Sequence, residues 1–236
     1  PVHPADQMIV PVNPPHTAFR VAQQIGPDED GKRMQGFVRA YADKLGDRPD
    51  VSPGAVMSYH VGAQVPMFAF LAAHYVVCQR WHASFPGPTW PNRLFLYCGT
   101  TNGLTTNGQA GAAFFGTQPD DYQMPTRTLF DVLAERGVSY ANYGSDFAWV
   151  SLMAGSRAEN RRSMVRFERD CANGSLPSVA FIDPNFSDAG NLERANDDQA
   201  PVDPTFGQLL VAEVYETLRR TGKLASTLLV VTYDEH

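Results

Sequence analysis

Apolar positions along the chain fall into two spacings, and each marks a different kind of element. Residues 18–25 and 34–45 carry the helical spacing. In the second of these, Met34, Phe37, Val38, Tyr41 and Leu45 recur every three or four residues and form one stripe of an α-helix. The spacing predicts further helices at 66–80 (Met67, Phe70, Leu71, His74, Tyr75), and from Thr126 to Gly137 (Leu129, Phe130, Leu133, Ala134). A more polar helix is expected at 158–171. A last one is opened by Asp203-Pro204-Thr205 and runs to about Arg220, with Leu209, Leu210, Val214 and Leu218 inward and Gly222 as its stop. Three shorter runs, 138–143, 178–182 and 227–233, are apolar or β-branched with little polar alternation, which reads as strand.

Strands that are apolar throughout need cover on both faces. Alternating with helices as they do here, they predict a mostly parallel sheet sandwiched between helices, an α/β fold. Between the elements lie proline- and glycine-rich breaks at 1–15, 46–54 and 84–91, a polar loop at 99–125 and an acidic loop at 185–202 with Asp188, Glu193, Asp197 and Asp198. Long loops after the strands of such folds are where function is carried. There is no internal repeat.

Composition narrows the function classes. The 236 residues are 43% hydrophobic and 19% charged, ordinary for a globular chain, and long enough for one sizeable core. A net charge of -6 argues against non-specific nucleic-acid binding and against a polybasic membrane patch. No apolar run approaches the roughly 18 residues of a membrane span, and no basic-then-apolar leader opens the chain. Three cysteines without CxxC spacing exclude a thiolate zinc knuckle and a dense disulfide framework. One disulfide or none stays open, and small buried hydrophobes are the expected role. The chain begins without methionine and stops three residues past an apolar strand, so a single incomplete domain over 1–236 is expected, with material missing on both sides.

Two places invite chemistry. Open α/β sheets bind ligands beyond the carboxyl ends of their strands. The run 227–233 delivers Asp234, Glu235 and His236 to that edge, and 178–182 delivers Asp183. Neighbouring carboxylates with an imidazole suit a divalent cation, although a solvated strand end would look the same. The second place is Pro86-Gly87-Pro88-Thr89-Trp90-Pro91-Asn92-Arg93. Two prolines and a glycine fix the backbone before Thr89, and Pro91 suits a first helical turn, which puts Thr89 at an N-cap where an anion is favoured. Asn92 and Arg93 add donors and charge for a phosphate. A plain cap and a surface cation are the alternatives.

This octapeptide, followed by Leu94, Phe95 and Gly99-Thr100, resembles the hallmark of the bacterial phosphoesterase family that includes phosphatidylcholine-hydrolysing phospholipases C and an acid phosphatase. Weaker blocks follow the family in order: Pro15 to Phe19, Met34 to Val38, Val56 to His60, Cys78 to Trp81, Thr128 to Phe130, Phe181 to Pro184, Asn196 to Asp198, Gly207-Gln208 and Thr232 to His236. The resemblance implies an alkaline-phosphatase-like core and metal-dependent phosphoryl transfer. It makes Thr89 the nucleophile and a metal ligand, with a covalent phospho-threonine intermediate. Asp234 and Glu235 become ligands of a divalent metal ion, and His16 a catalytic contact to the phosphoryl group. The phosphate-binding set is Asn92, Arg93 and His60, the last read either as structural or as pocket lining. The implied ligand is a small phosphate ester or phospholipid head group, with transient contact to a membrane surface and a secreted or periplasmic setting.

Two departures stand out. The family's late loop has a histidine where this chain has Gln199, in Asp197-Asp198-Gln199-Ala200-Pro201, and glutamine cannot exchange a proton near neutrality. The family's early Glu-Asn metal pair has no counterpart here, so the chain alone is expected to lack half the metal cage and to be inactive. A retired enzyme that only binds a phosphorylated ligand is the competing reading. A sulfatase-like hydrolase is disfavoured by the absence of Cys-x-Pro-x-Arg. His74 is expected in the core, and His3 and His82 at the surface. Trp81, Trp90 and Trp149 are read as core residues before a choline-binding aromatic cage.

Overall fold

The computed structural model describes residues 2–108, 125–144, 158–186 and 192–236. Near the start, β1 (His3–Pro4) pairs in parallel with β2 (Ser58–Tyr59). Between them lie α1 (Ala18–Ile25) and α2 (Phe37–Leu45). The Thr17 hydroxyl caps α1 by accepting the Arg20 N–H. The α2 stripe buries Tyr41 and Leu45 with Val51 in a small core of their own. A helix at 34–45 was expected; it begins at Phe37, because Met34 stands at positive φ and Gly36 makes the turn out of α1.

Helix α3 (Pro66–His74) stops six residues short of the 66–80 span, since Tyr75 turns extended and the β-branched pair Val76-Val77 follows it. His74 is consequently exposed rather than core, stacked on Phe70 with ring centroids 4.4 Å apart. Helix α4 (Thr89–Cys98) ends at Gly99, whose φ of 70° is the left-handed conformation a helix stop favours. Next come α5 (Leu129–Glu135), with a full Thr128/Asp131 capping box, and β3 (Tyr140–Tyr143). They are followed by β4 (Arg161–Arg162), α6 (Met164–Ala172) capped by Ser163, and β5 (Val179–Ile182). The expected helix at 158–171 is therefore a short 3-10 turn, a strand and then α6. Helix α7 (Thr205–Arg220) opens with the Asp203 carboxylate accepting the Thr205 N–H.

Strand β3 is buried along its whole length and carries the sheet, with β4 and β5 parallel on either side. Its alternate side chains enter two different cores. Tyr140 packs with Trp90, Leu94, Tyr97 and Phe130 from α4 and α5. Ala141 and Tyr143 pack with Met164, Phe167, Cys171, Val214 and Leu218 from α6 and α7. Each fully buried large side chain stabilises by roughly 1.5–3 kcal/mol, and the strand is covered on both faces, its one polar residue, Asn142, being buried and bonded to Asp183. The α/β expectation holds, with a small parallel sheet between helices.

The expected strand at 227–233 does not form among the described residues. A short 3-10 turn (Leu224–Ser226) is followed by extended chain with no ladder, leaving Leu228 88% exposed and Val230 and Val231 outward, while Leu229 packs under α7. Apolar β-branched sequence supplies the tendency; a neighbouring edge must supply the bonds. All three cysteines are free, with Cys171 buried and Cys78 exposed rather than packed as a core residue. Among the described residues no helix is long and apolar enough to cross a membrane.

Candidate active site

The loop before α4 is held by a side chain from inside the helix. Asn92 accepts the Phe85 N–H at 2.8 Å and donates to the Gly87 and Pro88 carbonyls at 3.1 and 3.3 Å. A Cβ at Gly87 would lie 2.4 Å from the Phe85 ring, so any larger residue there would have to displace that ring. Pro88 takes the N-cap in extended conformation, so Thr89 is the first helical residue rather than the cap itself. The Trp90 N–H is taken by the Asn107 side-chain oxygen Oδ1 at 3.0 Å. Asn92, expected as a phosphate donor, is thus buried and spent on shaping this turn.

Thr89 and Arg93 stand four residues apart, on one face of α4. That face meets the consecutive acids at the end of the chain. The Thr89 hydroxyl donates to Glu235 Oε1 at 2.8 Å, and Arg93 Nε donates to Asp234 Oδ2 at 2.7 Å. The Arg93 Nη1 also reaches Asp183 Oδ1 at 3.0 Å, and the other oxygen of Asp183 accepts from Asn142 of β3 at 3.1 Å. Arg93 therefore ties the carboxyl end of β5 to the acidic pair. Its Cζ stands over the Phe186 ring, 5.2 Å from the centroid, a cation–π contact. Burial works against the charge on Arg93, but Asp234 and Asp183 outweigh it and raise its pKa.

His16 stands directly before the cap of α1. Its Nδ1 lies 2.9 Å from the Pro14 carbonyl, which can only accept, so Nδ1 carries the hydrogen. The other nitrogen, Nε2, faces Glu235 Oε1 at 3.9 Å. Glu235 is the electrostatic centre of the group. Burial, and then the adjacent Asp234 carboxylate, push its pKa up to about 8 against the Thr89 hydrogen bond and Arg93. Its second oxygen is buried with no hydrogen-bond partner. An orphaned carboxylate oxygen beside a second carboxylate and a hydroxyl is a hard-oxygen set that fits a divalent cation. It is a partial set: among the described residues no group of three or more His, Cys, Asp and Glu side chains is arranged to hold a metal ion.

The structure thus brings Thr89, His16, Arg93, Asp234 and Glu235 together. His60 stands near the Asp198 carboxylate, with its Nδ1 buried and unpartnered. Asp198 accepts a 2.7 Å hydrogen bond from the Tyr233 hydroxyl, and burial raises its pKa. Gln199 contributes its carbonyl to a turn that closes on the Val202 N–H at 2.9 Å. Trp90 is buried in the core and Trp81 is 63% exposed, while Trp149 lies outside the described residues. Asp183 was visible only as a strand-end acid; its bond to Arg93 spans 90 residues and no spacing rule signals it. Gln24, which touches both the His16 loop and His236, carried no signal beyond being polar on an apolar helix face.

Comparison with known proteins places the whole chain. The chain is 33% identical to non-specific phospholipase C6 of Arabidopsis thaliana over 239 residues, covering 98% of this chain and 44% of that protein. It is 30% identical to non-specific phospholipase C5 over 95% of this chain and 43% of that protein, and 30% identical to non-specific phospholipase C1 over 98% and 42%. The chain spans less than half the length of these plant relatives. The profile of the Phosphoesterase family matches residues 3–236, which takes in the helix of Thr89 and Arg93 and the acidic pair alike. The chain belongs to the Phosphoesterase family.

Proposed function

We propose that the protein hydrolyses phosphate esters, with phospholipase C-like phosphodiesters as the first substrate class, and that Thr89 is its nucleophile. The observation that carries this reading is the 2.8 Å hydrogen bond from the Thr89 hydroxyl to Glu235 at the first turn of α4. A hydroxyl oriented by a carboxylate at a helix N-terminus has its proton directed away from the incoming phosphorus, and the helix end favours the phosphate's charge. The names of the plant relatives, all non-specific phospholipases C, favour turnover over mere binding.

In this reading Thr89 Oγ1 forms a bond to phosphorus as the bond from phosphorus to the leaving oxygen breaks, and that oxygen takes a proton from water to depart as the alcohol. The hydroxyl proton passes to Glu235, the group it already faces, in that residue's ionised form. Water then attacks phosphorus and breaks the Oγ1–P bond, releasing the second product, while Glu235 returns its proton to Oγ1 and restores the threonine. His16 presents Nε2 to the phosphoryl group because Nδ1 is fixed on Pro14. Arg93 holds Asp234 in register and balances its charge. A divalent cation, for which Thr89, Asp234 and Glu235 are the candidate ligands, would supply charge neutralisation at the phosphoryl oxygens and favour the ionised carboxylate. Asn92 acts through the shape of the loop. The superfamily relationship to alkaline phosphatase and a setting outside the cytoplasm are part of the same proposal.

The test is hydrolysis of a chromogenic phosphocholine diester and of a chromogenic phosphomonoester by the full-length protein with divalent metals supplied. Turnover of the diester in preference to the monoester supports the phospholipase C class. Turnover of the monoester alone moves the substrate class. Tight binding of phosphocholine without turnover of either would replace the hydrolase by a binding protein.

A further inference from the structure

Gln24 is 1% exposed on the inner face of α1, and its side-chain amide makes two hydrogen bonds in opposite directions. Nε2 donates to the Pro15 carbonyl at 2.7 Å. A carbonyl can only accept, so this bond orients the amide and leaves Oε1 facing His236 Nε2, also at 2.7 Å. Amide oxygens accept, so the hydrogen on neutral His236 is on Nε2. One amide therefore joins the residue before His16 to the residue after Glu235.

Among the described residues the segment bearing the acidic pair has no strand ladder to place it, and Leu228, Val230 and Val231 are exposed. Side chains on both sides place it instead. Tyr233 is held by Asp198, and His236 by Gln24 and by an edge contact to Phe37 with ring centroids 6.3 Å apart. The anchor for His236 is itself rigid, since the Gln24 carbonyl accepts the Gly36 N–H at 3.1 Å, locking the end of α1 to the start of α2.

We propose that Gln24 is a positioning residue for phosphoryl transfer, bracketing His16 and Glu235 through Pro15 and His236 so that the two keep their facing geometry beside Thr89. This rests on the reading of Thr89 as nucleophile, and it goes beyond it by assigning the reaction a residue that touches no substrate. Misplacing reacting groups by about an ångström costs on the order of a hundredfold in rate.

The test compares Gln24→Met, which keeps length and loses both hydrogen bonds, with Gln24→Glu, which keeps the acceptor for His236 and loses the donor to Pro15. Diester hydrolysis by the full-length proteins is read as kcat and KM separately. Histidine-selective 15N spectra, with His236 assigned by its absence from His236→Ala, report which ring nitrogen carries the hydrogen. In Gln24→Met, kcat is expected to fall about ten- to a hundredfold with KM within about twofold, and the single Nε2–H form of His236 to be lost. In Gln24→Glu, the Nε2–H form is expected to persist while kcat still falls. A folded Gln24→Met protein with unchanged kcat and unchanged His236 spectrum overturns the proposal; if that variant does not fold, unchanged kcat in Gln24→Glu overturns it. If the unsubstituted protein turns over neither ester, the hydrolase reading fails and the catalytic assignment with it. A His236 spectrum showing no Nε2–H form would instead overturn the bracketing geometry by itself.

Discussion

The Thr89 hydroxyl donates a 2.8 Å hydrogen bond to Glu235, a residue 146 positions later in the chain. One turn further along the same helix face, Arg93 bonds the preceding acid, Asp234, at 2.7 Å. Two adjacent acids thus meet two side chains at helical i, i+4 spacing, and this register locks the end of the chain onto the start of α4.

Arg93 is the more structural of those two contacts. Its guanidinium and the Asp183 carboxylate are both largely buried, and removing one member of such a pair leaves the other charge unbalanced. Arg93→Ala is expected to destabilise the protein by about 3–5 kcal/mol in urea unfolding. Arg93→Lys should fall between, because an ammonium cannot reproduce the fork that reaches Asp234 and Asp183 together. Equal stability of the Ala variant would remove Arg93 from the account as a structural tie.

Asp170 sets the acid limit. Burial pushes its pKa up, but bonds from Tyr143, Arg162, Arg166 and Ser175 outweigh that and hold it at about 2, below an ordinary value of 3.8. A depressed folded pKa contributes stability that is present above about 3.8 and lost as pH falls through about 2, worth roughly 2 kcal/mol by linkage. Asp170→Asn should therefore be less stable near neutrality and show a flatter decline between about pH 4 and 2. Parallel acid limbs for the two proteins would contradict this.

Gly207 faces the Asp198 carboxylate so closely that a Cβ would sit 2.1 Å from Oδ1. Gly207→Ala must push Asp198 away, and Asp198 is the partner of Tyr233, the residue before the acidic pair. A stability loss of about 1–3 kcal/mol is expected from overpacking, together with a lower kcat. Tyr233→Phe should lower kcat in the same direction without the overpacking cost; an unchanged kcat in Tyr233→Phe would show that this tether does not place the acids.

Asn92→Ala separates two roles for one residue. As the staple of the 85–88 loop, its loss leaves the Phe85 N–H and two carbonyls without their partner, at about 1–3 kcal/mol for the buried groups. The thermal midpoint should fall, and kcat should fall with it as Thr89 loses its placement. A raised KM at unchanged stability would instead make Asn92 a ligand of the phosphate.

Local physics was legible in the sequence, and long-range partnership was not. The extent of α1, the proline in the first turn of α4 and the apolar strand β5 follow from spacing and pattern, whereas α5 starts at Leu129 behind the Thr128 cap, three residues after the expected start at Thr126. Thr89, Asp234 and Glu235 stood out through motif resemblance. What spacing cannot convey is which distant groups meet: Arg93 with Asp183, Gln24 with His236, and Tyr233 with Asp198. The run at 227–233 has the composition of a strand, and among the described residues it has no paired neighbour, which is a property of the rest of the structure. Asn92 reads as a ligand because an amide serves a phosphate and a loop equally well, and its bonds within the 85–88 loop carry no signal in the sequence.

The central claim is that Thr89 is the nucleophile. Initial rates of phosphocholine diester hydrolysis by the full-length protein, beside Thr89→Ala and Thr89→Ser at equal folded concentration with metals supplied, test it most directly. Thr89→Ala is expected to lose at least about a thousandfold in kcat, and Thr89→Ser to keep measurable turnover because it retains a hydroxyl at the same place. A Thr89→Ala protein working within about tenfold of the unsubstituted enzyme would contradict the account, since a methyl group can neither attack phosphorus nor bond to Glu235.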